Sequence, residues 1–267
     1  MSSRYLSGMT RHLRLDAIEN FRDYGDYATA SGQRLKKGLL YRSASHARAT
    51  DADLEAVEAL AIAVVVDLRR PGEREREPSR RPAGFKGQVI ANDIGESADD
   101  DPWWNFVRSC DLSEDAFRGY LLNYYREAPG KPRHVDLFAR YFRALAEADG
   151  PVLIHCAAGK DRTGVLAALT HHLVGVHPDD IVEDYLLTNN PERIAARAPM
   201  VAQLIAQETG RTATDAAVRA AIGVEAEYLA EAFRSIEAAH GSVDAYLTQA
   251  LGVDAALKEA LEARLLA

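Results

Sequence analysis

An α/β fold, with a mostly parallel central sheet flanked by helices and a helical C-terminal part, is predicted by three features of the sequence. The runs Ile62-Ala63-Val64-Val65-Val66 and Val152-Leu153-Ile154 are short and apolar throughout, the mark of strands buried on both faces, as in parallel sheets. Each is preceded by a segment of helical spacing, Thr50 to Leu60 and Pro132 to Asp149, and parallel neighbours require such crossovers. Beyond about residue 178 only amphipathic helical segments follow.

With 267 residues, 47% of them hydrophobic, the chain can bury one good core, so residues 1–267 are expected to form a single domain. No run is long and apolar enough to span a membrane, so no integral membrane segment is expected. The first twenty residues carry Arg4, Arg11, Arg14 and Asp16 without an apolar stretch, so no secretory signal is read there. Two cysteines, Cys110 and Cys156, do not make a disulfide framework and suit a reducing compartment. The cytoplasm is the expected location, with leaderless secretion left open. A net charge of -8 argues against nucleic acid as a partner, because that affinity is dominated by neutralising phosphates.

Taken in order, Leu15 to Ile18 leads into Asn20-Phe21-Arg22-Asp23-Tyr24-Gly25, and a hairpin turning at Gly32 joins Tyr27-Ala28-Thr29 to Arg34-Leu35-Lys36. Arg22 and Asp23 are read either as a buried or turn-stabilising ion pair or as direct participants in chemistry. Thr50 with Asp53 forms a capping box for the first helix. Asp67 and Arg69 then fall at the carboxyl end of a buried strand, where ligands collect in parallel sheets. The mixed charges from Pro71 to Lys86 read as a solvated helix and linker, or as a basic rim for polyanions. Val89-Ile90-Ala91 is a further strand. The aromatics Trp103, Trp104, Phe106, Phe117, Tyr120, Tyr124 and Tyr125 lie in a segment, about residues 95–130, that either forms a lid or packs onto the core. Helices are expected over Asp179 to Leu187, Pro199 to Gln207, Ala213 to Ile222, Glu225 to Ala239, Ser242 to Leu251 and Asp254 to Leu266, a helical part of about 178–267.

The chemistry concentrates in His155-Cys156-Ala157-Ala158-Gly159-Lys160-Asp161-Arg162-Thr163-Gly164, which reads as strand, loop, then helix. A helix N-terminus offers unpaired amides and a positive dipole to an oxyanion. Cys156 and Arg162, with five residues between them, bracket that seat: a thiol beneath a phosphorus and a planar fork for two of its oxygens. A Walker-type nucleotide loop is excluded by Ile154 in place of its first Gly and Asp161 in place of Ser or Thr. A sulfurtransferase loop suits the Arg162-Thr163 ending less well. A phosphate-binding module without catalysis is the rival from outside the enzymes. His171, His172 and His177 lack metal-ligand spacing with carboxylates, so no metal is called for, and no cofactor is implied.

This loop resembles the signature of the cysteine-dependent phosphatases of the protein tyrosine phosphatase superfamily, and its Ala-Gly-Lys-Asp-Arg-Thr-Gly filling resembles the bacterial tyrosine-protein phosphatase branch that also attacks phosphoinositides. Asn20-Phe21-Arg22-Asp23, Leu39-Leu40-Tyr41-Arg42-Ser43, Asp67-Leu68-Arg69 followed by Glu73, and His240-Gly241-Ser242 resemble the same branch, although Asp26 stands where it usually shows a second Gly. The resemblance implies a metal-independent phosphomonoester hydrolase working through a phosphocysteine. Its partners would be phosphorylated tyrosine peptides or proteins, or phosphoinositides. Cys156 would be the nucleophile. Arg162 and the loop from Ala157 through Ala158, Gly159 and Lys160 would bind phosphate. Thr163 would hydrogen-bond the sulfur, with His155 and Arg69 as supports. Asp161 is implied as the acid for the leaving group, and Asp67, at its strand end, is the rival. Lys160 adds a positive charge suited to phosphoinositides.

Overall fold

The computed structural model describes residues 11–95 and 101–267; Arg4, Asp99 and Asp100 lie outside them. Five strands form one sheet: β1 (Arg22–Asp23), β2 (Leu40–Ser43), β3 (Val64–Asp67), β4 (Gln88–Ile90) and β5 (Val152–His155), in the order β1-β2-β5-β3-β4. Only β1 runs antiparallel to its neighbour. The mixed α/β architecture with a mostly parallel sheet is thus present. Every residue of β2, β3 and β5 is buried, as expected of strands covered on both faces. Their alternation divides the core: Val64, Val66, Val152 and Ile154 join the main cluster, while Tyr41, Val65 and Leu153 join a smaller one with Ile18, Phe21, Val57 and Ile62. Register sets Ser43 and Asp67 on either side of His155, so the carboxyl ends of three strands open at the loop that follows β5.

Twelve α-helices are present among the described residues. The first two are α1 (Asp51–Glu58) and α2 (Pro71–Arg76). Thr50 and Asp53 complete the capping box of α1, and Asp53 also accepts from the amides of Asp16 and Ala17. Next come α3 (Pro102–Ser109), α4 (Glu114–Glu127), α5 (Pro132–Glu147) and α6 (Asp161–Leu173). Leu137, Phe138, Tyr141, Phe142 and Leu145 seat α5 in the main core with Val165, Leu166 and Leu169 of α6. The remainder are α7 (Pro178–Leu186), α8 (Pro191–Thr209), α9 (Asp215–Ile222), α10 (Ala226–His240), α11 (Val243–Gln249) and α12 (Ala255–Leu265). No helix among the described residues is long and apolar enough to cross a membrane.

Several local expectations are corrected. The eighth helix begins at Pro191 and carries Pro199 inside it. Asn190 caps the amide of Arg193 and Pro191 occupies the first turn, where its missing N–H costs nothing. These start signals outrank Pro199 as the boundary. Arg22 does not pair with Asp23. It reaches Asp184 on α7, while Asp23 accepts from the amides of Gly25 and Gly38. Asp26 adopts φ +60°, the left-handed conformation that a Gly there would supply freely. The basic run is neither bare nor free: Arg70 and Arg76 meet Asp101, Arg74 meets Asp93 and Arg80 meets Asp51.

The aromatic segment takes neither course cleanly. Phe106 stacks on Tyr120 with ring centroids 4.2 Å apart, and Trp103 lies against Phe117 at 5.7 Å. With Val107, Leu112, Ile205, Ala217, Val218 and Ile222, Trp103, Phe106 and Phe117 make a satellite core of α3, α4, α8 and α9, while Tyr120 packs against the main one. Tyr125 turns instead into the main core. At the other end of the chain, Leu266 bridges Leu35, and Arg34 and Ala267 exchange backbone hydrogen bonds, so the tail completes the hairpin around Gly32.

Candidate active site

β5 delivers Cys156, and α6 begins five residues later at Asp161. The intervening backbone is turned by its carbonyls. Ala157 O accepts from the amide of Ser45 at 3.0 Å, and Gly159 O accepts from Asn20 Nδ2 at 2.8 Å and Arg42 Nη2 at 3.1 Å. With the carbonyls drawn outward, the amides of Ala157, Ala158, Gly159 and Lys160 have no acceptor among the described residues. This is the unsatisfied concavity that an oxyanion fills. Gly159 is needed twice, for φ +64° and because a Cβ there would lie 2.4 Å from Ser43 O. Cys156 is a buried free thiol. Cys110 belongs to the satellite core.

Arg162 is oriented by a residue that spacing alone did not single out. Its Nη1 and Nη2 donate to the two oxygens of Glu73 at 2.6 and 2.8 Å, and Nη1 also donates to Leu68 O at 3.1 Å. Burial opposes the charge on Glu73, yet Arg162 and then Arg70 hold its carboxyl well below the usual range. A guanidinium carries five N–H bonds. With Glu73 across the Nη1–Nη2 edge, the edge made by Nε and Nη2 keeps two of them for a ligand. Glu73 also accepts from the amide of Arg70, closing the capping box of α2. The fork is therefore aimed by the start of a helix.

The two carboxylates proposed from sequence stand in different surroundings. Asp67 is buried, takes Arg69 Nε at 2.9 Å and Nη2 at 2.8 Å, and lies 3.7 Å from His155 Nε2. Burial alone would raise its carboxyl, but His155 and Arg69 hold it far below the ordinary range, so it stays ionised and has no proton to give. Arg69 goes on to Ser45 Oγ at 3.0 Å. Because Ser45 holds Ala157 O, Asp67 braces the loop. Asp161 opens α6, keeps 19% of its side chain exposed, and accepts from Tyr125 Oη at 2.9 Å. Tyr125 in turn accepts from Tyr185 Oη at 2.6 Å.

Lys160 is buried, and its Nζ donates to Ala221 O at 2.8 Å and Gly223 O at 3.2 Å, at the C-terminus of α9. Its ammonium is spent on those carbonyls and lies 3.5 Å from Asp161. The Thr163 hydroxyl is fully buried and makes no hydrogen bond, to Cys156 or to anything else among the described residues. His155 is buried against His46, ring centroids 5.3 Å apart, and burial pushes its pKa down while Asp67 acts to raise it. Tyr120 and Tyr124, one turn apart on α4, look onto the loop. Burial raises both phenols, Tyr120 to about 12, and the charges of Arg162 and Asp161 act on each. Behind the loop, Asp184 lies between Arg22 and Arg42, 3.5 and 2.8 Å away. Burial works against its charge, yet the two arginines hold its carboxyl at about 2.

Sequence reasoning named Cys156, Arg162, Asp161 and the loop, placed Tyr125 only among the aromatics of a lid or core segment, missed Asp184 and gave Glu73 no task. Glu73, Asn20 and Arg42 did lie within the quoted motifs. Asp184 had no signal beyond being a polar residue on an amphipathic helix. Among the described residues no group of three His, Cys, Asp or Glu could hold a metal. His171 Nε2 donates to Tyr24 O at 2.6 Å, and His177 caps α7.

The profile of the tyrosine phosphatase family matches residues 13–267. A Cupriavidus necator protein, named provisionally as a tyrosine-protein phosphatase, is 37% identical over 92% of this chain and 86% of its own length. The triple specificity protein phosphatase of Mycobacterium tuberculosis is 34% identical over 86% of this chain and 91% of its own. A tyrosine-protein phosphatase of Nostoc commune is 33% identical over 55% of this chain and 47% of its own length.

Proposed function

The chain belongs to the tyrosine phosphatase family, a group of cysteine-based phosphomonoester hydrolases, and from that premise we propose how its residues divide the reaction. The Cys156 thiolate attacks phosphorus in line with the leaving oxygen, the P–O bond breaks, and a phosphocysteine forms. The Nε–Nη2 edge of Arg162 and the amides of residues 157–160 hold the equatorial oxygens as charge spreads over them. Asp161 gives its proton to the departing oxygen and takes one from the water that then cleaves the S–P bond. Thr163, whose hydroxyl lacks a partner, donates to the sulfur as it leaves. Asp67, Arg69 and His155 act on the loop and not on the substrate.

The carrying observation is a free thiol and an oriented guanidinium at the two ends of one loop of unpaired amides. Turnover of para-nitrophenyl phosphate in EDTA tests it: Cys156→Ser abolishes turnover, and a requirement for added metal would sink the reading. For Asp161→Asn the expected loss is far greater with alkyl phosphates than with activated aryl phosphates. Equal losses would remove Asp161 from the role of acid.

Phosphotyrosine peptides or proteins are the leading substrates. Broader specificity is supported by likeness to a relative named for three specificities. Phosphoinositides are the second reading, supported by the resemblance of the loop's Gly159-Lys160-Asp161-Arg162 filling to the branch that attacks them. Residues 1–267 act as one phosphatase domain in which α3 and the first half of α4 form a lid over the loop. The cytoplasm suits a thiol that must stay reduced.

A further inference from the structure

Asp184, on α7, has no part in the reaction just described, yet both side chains that hold the Gly159 carbonyl trace back to it. Arg42 Nη2 donates to that carbonyl at 3.1 Å, and Nη1 donates to Asp184 Oδ2 at 2.8 Å. Asn20 Nδ2 donates to the same carbonyl at 2.8 Å, and Asn20 Oδ1 accepts from Arg22 Nη1. Arg22 meets Asp184 twice, with Nη2 donating to its backbone carbonyl at 3.0 Å and Nε lying 3.5 Å from Oδ1. Because a guanidinium only donates, Arg22 fixes which end of the Asn20 amide is oxygen and so turns its nitrogen toward Gly159. One carboxylate therefore anchors two routes to a single carbonyl.

That carbonyl needs holding. Gly159 has φ +64° and no Cβ, so the peptide that joins it to Lys160 can swing at little cost. The peptide is planar and trans, so its carbonyl and the Lys160 amide point opposite ways. With the carbonyl drawn outward the amide faces the phosphate loop, and with the carbonyl released it would turn away. Arg22 and Arg42 are both fully buried, and two like charges behind one loop repel unless a carboxylate stands between them. Burial, and after it Arg42, lowers the Arg22 guanidinium to about 9, while Asp184 acts to raise it.

We propose that Asp184 is a positioning residue for phosphate binding: through Arg42 directly, and through Arg22 and Asn20 at one remove, it pins the Gly159 carbonyl outward and keeps the Lys160 amide turned into the loop. The inference rests on the loop at residues 156–162 being the phosphate site. It differs in sign from a simple effect of charge. A negative group behind an anion site weakens binding by repulsion, so removing it without loss of geometry would tighten phosphate. Loosening the clamp takes an amide donor from the anion and weakens it.

The test measures binding of inorganic phosphate, by calorimetry, to the full chain carrying Cys156→Ser, so that it does not depend on turnover. Asp184→Asn, which keeps the volume and removes the charge, should raise the Kd about tenfold, the worth of one hydrogen bond to a charged group. Asp184→Glu, which keeps the charge but displaces the carboxylate, should raise it by less and serves as the second variant if the asparagine protein fails to fold. Asn20→Ala removes one of the two donors with no change of charge, and a rise of about threefold is expected. Combined with Asp184→Asn it should add less than its separate factor, because both act on one carbonyl. A Kd that is unchanged or lowered in the folded Asp184 variants, or factors that multiply fully in the double variant, overturns the proposal. If the Cys156→Ser chain binds phosphate while the Cys156 form has no phosphatase activity, the catalytic reading fails and the positioning test stands. No phosphate binding at all overturns both.

Discussion

On its sheet side the loop at residues 156–162 is fixed by strand register and buried ion pairs: Ser43, His155 and Asp67 stand abreast, Asp67 and Arg69 reach Ser45, and Glu73 sets the fork of Arg162. On its helical side the neighbours come from α4, α8 and α9, which share a satellite core of their own. They meet the loop where Tyr125 donates to Asp161 and where carbonyls at the end of α9 accept from the loop's Lys160. The difference suggests a division of labour. The sheet side holds the geometry of phosphoryl transfer, and the helical side tunes the proton donor and the fit of the substrate.

The largest effect is expected from the sheet side. Glu73→Gln removes the charge that aims Arg162 and leaves a buried cation underpaired, so kcat on para-nitrophenyl phosphate should fall roughly 10- to 100-fold and stability by about 3 kcal/mol. Steady-state kinetics and urea unfolding check both numbers. An enzyme with unchanged kcat would break the comparison at its stronger end. On the helical side, Tyr125→Phe takes one hydrogen bond from Asp161. A fall of about 3- to 10-fold is expected in kcat/KM for alkyl phosphates, with a smaller fall for para-nitrophenyl phosphate. A uniform loss on both substrates would mean that Tyr125 merely packs.

Acidification separates the two sides by stability and not by rate. Burial pushes His134 down to about 3 and His12 down to about 4, and His46, His155 and His171 are also lowered, with burial first. All five belong to the sheet and its covering layers, and residues 101–127 and 191–222 contain no histidine. The unfolded chain binds these protons near pH ~6.5, whereas the native chain resists them until the pH is lower. The stability from neutral histidines is therefore full above that pH and declines as pH falls below it, for His134 and His12 down toward pH 4 and by about 1.4 kcal/mol per pH unit for each of those two. Urea midpoints at pH 7 and pH 5 measure it. The chain's two tryptophans, Trp103 and Trp104, both lie against the satellite core, so their fluorescence reports on the helical side. A fluorescence change that precedes loss of the far-ultraviolet signal on acidification would contradict the assignment of acid lability to the sheet side.

What was legible in the sequence follows the same division. Strands β3 and β5, the capping box at Thr50 and the loop from Cys156 to Arg162 depend on neighbours within a few residues, so pattern and spacing reveal them. Asp67 looked like an acid because it ends a strand at the pocket. Its ionised state depends on Arg69 and His155, and that pairing appears only once β3 and β5 lie in register. Lys160 looked like a phosphate ligand because of its place in the loop, yet its ammonium is claimed by carbonyls far along the chain. The aromatic segment was ambiguous because its core is shared with α8 and α9, and a satellite core of that kind has no signature in any single window.

The pairing of residues 34–36 with 265–267 sets an order on biosynthesis. The hairpin that carries Asp26 emerges from the ribosome well before the segment that closes it. Until then the amides of Arg34 and Lys36 and the carbonyl of Arg34 lack the partners that residues 265 and 267 give them.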